Sequence, residues 1–197
     1  AGKKIALIED SHWGGTCLNA GCIPTKMLLG ATAPQGLLHA QERVRIAKGS
    51  IQVDFTALQN RVTRFTKGTS QTLAKSLAAL GIDLFEGRGV CTGQNEGQTQ
   101  VQVTTAQGPV SLAGTKIILA CGTASASFPG LVPDHQNGLD STDLLRITAI
   151  PESLIVVGAG AIGLEMADFF SAMGSTVTIV EAAAHIAPTE DADIAKE

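Results

Sequence analysis

The sequence carries little charge. Charged residues fill 16% of its 197 positions, and 14 basic against 18 acidic side chains leave a net charge of −4. That balance gives no footing for nucleic acid or an anionic membrane as a partner. Long apolar runs are missing as well, since nothing approaches the roughly 18 apolar residues of a membrane span. No signal peptide stands before the first strand-like run, so a reducing, cytoplasmic setting is expected. There is no internal repeat and no low-complexity tract. With 44% hydrophobic residues, the chain is expected to be globular and to hold a real core, as one domain or two small ones. Cysteines number four. In a reducing compartment a close pair of them suggests catalysis or metal rather than a structural bridge.

The apolar run "KKIALIE" predicts a buried strand, and the glycine-rich turn "GGTCLNAGCIPTK" follows it. A helical pattern begins at Thr25 and is interrupted near Pro34 and Gly36. Phe55, Leu58, Val62, Phe65, Leu73, Leu77 and Leu80 form the stripe of a long helix that Gly81 ends. "TQVQVTT", "GPVSLAG" and "KIILACG" predict a β-meander. Pro, Gly, Asn and Asp in "SFPGLVPDHQNGLDSTD" mark a linker. The expected organisation is α/β, with one domain over residues 1–125, a linker over 126–150, and the first βαβ unit of another domain over 151–197.

That last unit is the easiest to interpret physically. "SLIVV" is a continuous apolar strand, followed directly by Gly158-Ala159-Gly160-Ala161-Ile162-Gly163. A helix to about Met173 is expected to bury Ile162, Met166, Phe169, Phe170 and Met173, and "TVTIV" gives a second strand that ends at Glu181. In such a unit Gly158 permits the tight turn, Gly160 lets a pyrophosphate approach the backbone, and Gly163 allows close helix–strand packing. Glu181 is placed to accept hydrogen bonds from an adenosine ribose. No Arg for a 2′-phosphate follows in "EAAAHIAP", so NAD is favoured over NADP. A glycine-rich turn without a ligand is the bland alternative.

Cys17 and Cys22 are five apart. In an undistorted helix such residues point about 140° away from each other, and their Cα atoms lie beyond the ~7 Å disulfide limit. Gly14, Gly15, Asn19 and Gly21 supply the turn freedom that could fold one back on the other. Pro24 suits a first helical turn, which sets Cys22 at a helix N-terminus, where the dipole favours a thiolate. The pattern describes a reversible disulfide with one activated sulfur. Two inert core thiols are an alternative. Zinc is not expected, because Cys91, Cys121 and the scattered histidines do not complete a ligand set. Cys91 and Cys121 fall in strand-like contexts and are expected to be structural.

"GGTCLNAGCIPTK" together with "VVGAGAIGLEMADFFSAMGSTVTIVE" resembles the two-cysteine flavoprotein disulfide reductases, above all the dihydrolipoamide dehydrogenases. The resemblance implies two Rossmann-like dinucleotide-binding domains, for FAD and NAD, both incomplete here, with a β-meander. It assigns Cys22 as the sulfur against the flavin and Cys17 as the thiol that exchanges with substrate. Lys26 would lie beside the flavin and pair with Glu165. Glu9 would bind the FAD ribose as Glu181 binds that of NAD. Gly15 and Thr16 would approach the FAD pyrophosphate, and Gly87, Gly89, Ala120 and Gly122 the adenine side.

The implied reaction oxidises dihydrolipoamide to lipoamide, with electrons passing through the Cys17–Cys22 disulfide and FAD to NAD. The substrate would ride on a carrier domain of a 2-oxoacid dehydrogenase or glycine cleavage complex, and the complete enzyme would be a homodimer. The resemblance also implies elements that this sequence does not contain, including the first FAD-gripping glycine turn and a His–Glu acid–base pair. The chain is therefore expected to be a portion of the enzyme, inactive alone. Ala161 stands where many relatives carry tyrosine. Alternatives are another disulfide reductase, such as mercuric reductase, or a non-catalytic remnant that binds NAD or responds to thiols.

Overall fold

The computed structural model describes all residues except 1, 127–129, 192 and 197, and the backbone alone of Lys196. Three residues of the expected linker, 127–129, thus lie outside the described residues. In chain order the elements are β1 (Ala6–Glu9), α1 (Gly15–Ala20), α2 (Cys22–Arg43), α3 (Phe55–Ala79), β2 (Asp83–Asn95), β3 (Gln98–Thr105), β4 (Gly108–Gly114), α4 (Ser141–Leu144), β5 (Ser153–Val157), α5 (Ala161–Ala172) and β6 (Thr176–Val180). A turn of 3-10 helix, Ile194–Lys196, follows. They fall into two compact units, residues 1–19 with 66–124, and residues 20–65 with 125–197. These units cut across the domain limits read from the sequence, because α3 begins in the second and ends in the first.

The first unit is built on a four-stranded sheet, in the order β1-β2-β3-β4. β1 runs parallel to β2, with Ala6 opposite Asp83, while β2–β3 and β3–β4 are antiparallel. Alternation sends Val101 and Val103 of β3 inward, and both are buried. The β2–β3 register shifts between Cys91 and Gly93, and Cys91 is exposed rather than structural. "KIILACG" is not a strand. No ladder forms there, and Ile118 and Leu119 are 91% and 79% exposed. Their β-propensity meets no hydrogen-bonded partner among the described residues. Cys121, in the same stretch, is exposed too.

In the second unit, α2 is a single helix from Cys22 to Arg43 with Pro34 inside it, where the sequence predicted an interruption. Its buried residues, Pro24, Thr25, Leu28 and Thr32, all precede the proline, and half-buried Gln35, Leu38 and Glu42 continue that side beyond it, so tertiary packing outweighs the lost hydrogen bond. Leu28 meets Leu58 and Val62 of α3, Leu145, and Met166, Phe169 and Phe170 of α5 in one apolar cluster. Phe169 and Phe170 pack edge to face with centroids 5.2 Å apart. Ile162 is 60% exposed, against expectation. The stripe that reaches the cluster runs through Met166, Phe169 and Phe170, and Ile162 lies one turn before it. Phe65 and Leu80 also remain exposed on the α3 stripe. Gly81, at φ 79°, stops that chain as expected, with Ile82 N–H donating to Leu77 O.

The expected linker folds locally. Asp134 Oδ1 accepts from the N–H groups of Gln136, Asn137 and Gly138. Asp140 caps α4, in a capping box with Asp143. His135 Nδ1 lies 2.8 Å from Asp143 Oδ2. The Asp143 carboxylate raises the His135 pKa from its ordinary 6.5, first through that hydrogen bond and then through its charge. Backbone donation from Asp140, then the histidine, lowers the Asp143 pKa from 3.8. The His135 contribution is fully present below pH 6.5 and fades as pH rises through the raised value. The Asp143 contribution is present above pH 3.8 and fades as pH falls through the lowered one. An NMR titration should place the His135 midpoint above 6.5, and Asp143→Asn should return it toward 6.5.

Candidate active site

The nucleotide turn comes first from backbone sterics. β5 and β6 pair in parallel, Ser153 opposite Thr176, and α5 crosses between them. Gly158 has φ 102°, a conformation open mainly to glycine. A Cβ on Gly163 would sit 2.0 Å from Gly158 O, so the helix approaches the strand only because that side chain is absent. A Cβ on Gly160 would meet nothing within 4 Å, which leaves space in front of the α5 N-terminus. The arrangement fits a pyrophosphate: one tight turn, one open approach, one close packing.

Glu181 closes the turn from the end of β6. Ala159 N–H donates to its Oε2 at 2.7 Å and Ala183 N–H to its Oε1 at 2.8 Å. These donors, Ala183 first, hold its carboxyl below the ordinary 4.5. The carboxylate that aligns the loop is therefore retained above pH 4.5 and lost as pH falls through the lowered value.

The cysteines belong to consecutive helices. Cys17 is exposed in α1, which the sequence presented as a turn. Cys22 is exposed as the first residue of α2, with Gly21 as N-cap. Lys26, one turn further along α2, pairs with Glu165 of α5. The lysine is 61% exposed and the glutamate 32%. A pair so open to water contributes about 1 kcal/mol or less.

Glu9, at the end of β1, accepts from Ser11 N–H and His12 N–H. It lines a cleft of about 390 Å³ together with Trp13, Lys67, Ser70, Glu86 and Gly87. Gly15 and Thr16 open α1. A Cβ on Gly87 would lie 2.1 Å from Thr104 O, so strand packing alone demands glycine there. A Cβ on Gly89 would touch Ile8 at 3.2 Å. Ala120 and Gly122 lie in the exposed, irregular stretch after β4. His135, Asp140 and Asp143 gather within 4.8 Å, but their bonds serve the α4 cap and no cysteine joins them. Sequence reasoning passed over Trp13, Ser70 and Glu86. Each is unremarkable as a letter, and only the fold joins them.

The pattern of the pyridine nucleotide-disulphide oxidoreductases matches residues 1–197. The chain belongs to this family. A dihydrolipoyl dehydrogenase of Chlorobaculum tepidum is 35% identical over 99% of the chain and 41% of its own length. Among solved structures, LpdA from Mycobacterium tuberculosis superposes with a TM-score of 0.84 at 25% identity, over 98% of this chain and 42% of that one. The HOCl-induced flavoprotein disulfide reductase RclA from Escherichia coli gives 0.78 at 31% identity, over 99% and 40%. The chain thus spans about two fifths of the length of these relatives. Enzymes of this family are flavoprotein oxidoreductases that use FAD and NAD(H). Dinucleotide-binding architecture and family membership agree.

Two glycine substitutions separate packing from ligand access. Gly163→Ala should destabilise the protein by about 2 kcal/mol or more in denaturant titrations. Gly160→Ala should stay within about 0.5 kcal/mol of wild type and yet weaken NAD binding measured by calorimetry.

Proposed function

We propose that this chain is the redox-disulfide portion of an enzyme that oxidises dihydrolipoamide to lipoamide with NAD as acceptor. The observation that carries the reading is the first turn of α2. Cys22 stands at its start, and Lys26 one turn on is held by Glu165 of the helix that leaves the nucleotide turn. Residues 1–125 are read as part of the FAD domain, 126–150 as a linker, and 151–197 as the opening of the NAD domain.

In this reading a substrate thiolate attacks Cys17 of the Cys17–Cys22 disulfide. The S–S bond breaks, a mixed disulfide forms at Cys17, and Cys22 leaves as the thiolate. The second substrate thiol then attacks the mixed disulfide, which releases the cyclic product and a reduced cysteine pair. Cys22 stands at the N-terminus of helix α2. FAD, when bound, would supply the two-electron redox chemistry between the thiol pair and NAD. Lys26 would set a positive charge toward the flavin, with Glu165 fixing where that charge lies. Glu9 with Gly15 and Thr16 would hold the FAD ribose and pyrophosphate, with Gly87, Gly89, Ala120 and Gly122 toward the adenine. Glu181 holds the NAD ribose and, with no arginine beside it, prefers NAD to NADP. The whole enzyme is read as a cytoplasmic homodimer served by a lipoyl carrier domain. No helix among the described residues is long and apolar enough to cross a membrane.

The test is the visible spectrum of the full-length protein, titrated anaerobically with dihydrolipoamide. A flavin band that gains a long-wavelength shoulder, lost in Cys22→Ser, is the expected result. A colourless protein, or a flavin untouched by the dithiol, would overturn the reading. Reduction by other dithiols or by NADH, but not by dihydrolipoamide, would favour a different disulfide reductase.

A further inference from the structure

We infer that Trp13 is a positioning residue for Cys17: it ties the short helix carrying that thiol to strand β2 and helix α3 by hydrogen bonds. The inference rests on the reading of Cys17 as the exchange thiol, and all its parts lie in one compact unit.

Trp13 is the sequence's single tryptophan and is 8% exposed. Its indole Nε1–H donates to Glu86 Oε1 of β2 at 3.2 Å. Its carbonyl accepts from the hydroxyl of buried Ser70, on α3, at 2.7 Å. The same carbonyl accepts from Asn19 Nδ2 at 3.1 Å, and that amide donates also to Gly15 O at 2.9 Å. Asn19 lies in α1, so its bonds tie the helix to Trp13. Leu18 covers the backbone of Gly14, with its Cδ2 2.5 Å from the place a Cβ would take. Cys17 sits between Thr16 and Leu18 in this clamped turn.

Exchange requires the attacking sulfur, the attacked sulfur and the leaving sulfur to align, so small displacements of the thiol cost rate. The Trp13–Glu86 bond at 3.2 Å is the side-chain link from the indole to β2, so its loss is felt at Trp13 itself. Loss of that bond frees Trp13, and through its carbonyl the start of α1. Packing of the indole is a separate contribution, which variants at Glu86 leave in place.

The test uses the reduced full-length protein and follows iodoacetamide alkylation by mass spectrometry. The rate at Cys17 is divided by that at Cys91, an exposed thiol on β2. Trp13→Phe and Glu86→Leu should each change this ratio by about fivefold, the order expected for one net hydrogen bond. The double variant should change it no further than either single one. Glu86→Gln keeps an acceptor and should restore the wild-type ratio. A wild-type ratio in Glu86→Leu, or equal ratios in Glu86→Leu and Glu86→Gln, would overturn the inference. Should Trp13→Phe fail to fold, the two Glu86 variants still decide it. Dihydrolipoamide titration of the same samples separates the two readings: a ratio that moves in a protein the dithiol does not reduce upholds Trp13's role and removes the proposed substrate.

Discussion

The second unit depends on one close approach. At Gly163 helix α5 lies so near the β5–α5 turn that a single methyl group would collide with Gly158 O at 2.0 Å. Because the helix can sit that low, Phe169 and Phe170 reach Leu28 of α2 and Leu58 and Val62 of α3. Burying those side chains stabilises by roughly 1.5–3 kcal/mol each, so the seat of α5 also fixes where α2 lies. Glu165, on the same helix but half-buried, then arrives beside Lys26. A backbone constraint at the nucleotide turn thereby sets the geometry of the charge pair one helical turn from Cys22.

The division of labour between stability and chemistry follows from burial. Apolar contacts hold the helices, while the Lys26–Glu165 pair is too wet to contribute much. Glu181 accepts from the Ala159 and Ala183 N–H groups, so the glycine turn after β5 is organised by the carboxylate at the end of β6. In the first unit the β1–β2 pairing places Glu9 at a strand end over a cleft, and Trp13 joins β2 to α1 and α3. In both units a carboxylate at the end of a parallel strand faces backbone N–H groups of the turn beside it.

Much of this was legible in the letters. "SLIVVGAGAIG" with a second strand running up to Glu181 encodes its own turn, because Gly158 and Gly163 answer to two distinct steric demands, a left-handed backbone and a close helix–strand approach. The α3 stripe and Gly81 were equally readable, since helical period and a left-handed stop are local properties. What could not be read locally went astray. Pro34 signals an interruption, but α2 runs on to Arg43, its packed side continued past the proline by half-buried Gln35, Leu38 and Glu42. "KIILACG" has strand composition and finds no ladder, because pairing is a property of neighbours and not of the segment. Ile162 obeys the helical period and remains exposed, since period does not say how far a core extends. Gly87 illustrates the reverse case. It was singled out as a ligand contact, and the β2–β3 packing gives it a structural reason as well. The Trp13–Ser70–Glu86 chain joins residues far apart in sequence, and no spacing rule reaches it.

The central claim is that the seat of α5 places Glu165 against Lys26 for chemistry rather than for stability. The most direct measurement compares Glu165→Gln with wild type in the full-length protein, by denaturant unfolding and by the rate of flavin reduction with dithiol. A stability change of about 1 kcal/mol or less, with reduction slowed about tenfold, a loss of about 1.4 kcal/mol in the barrier, is the predicted result. Unchanged reduction, or a loss of stability large enough to account for the slower rate, would contradict it.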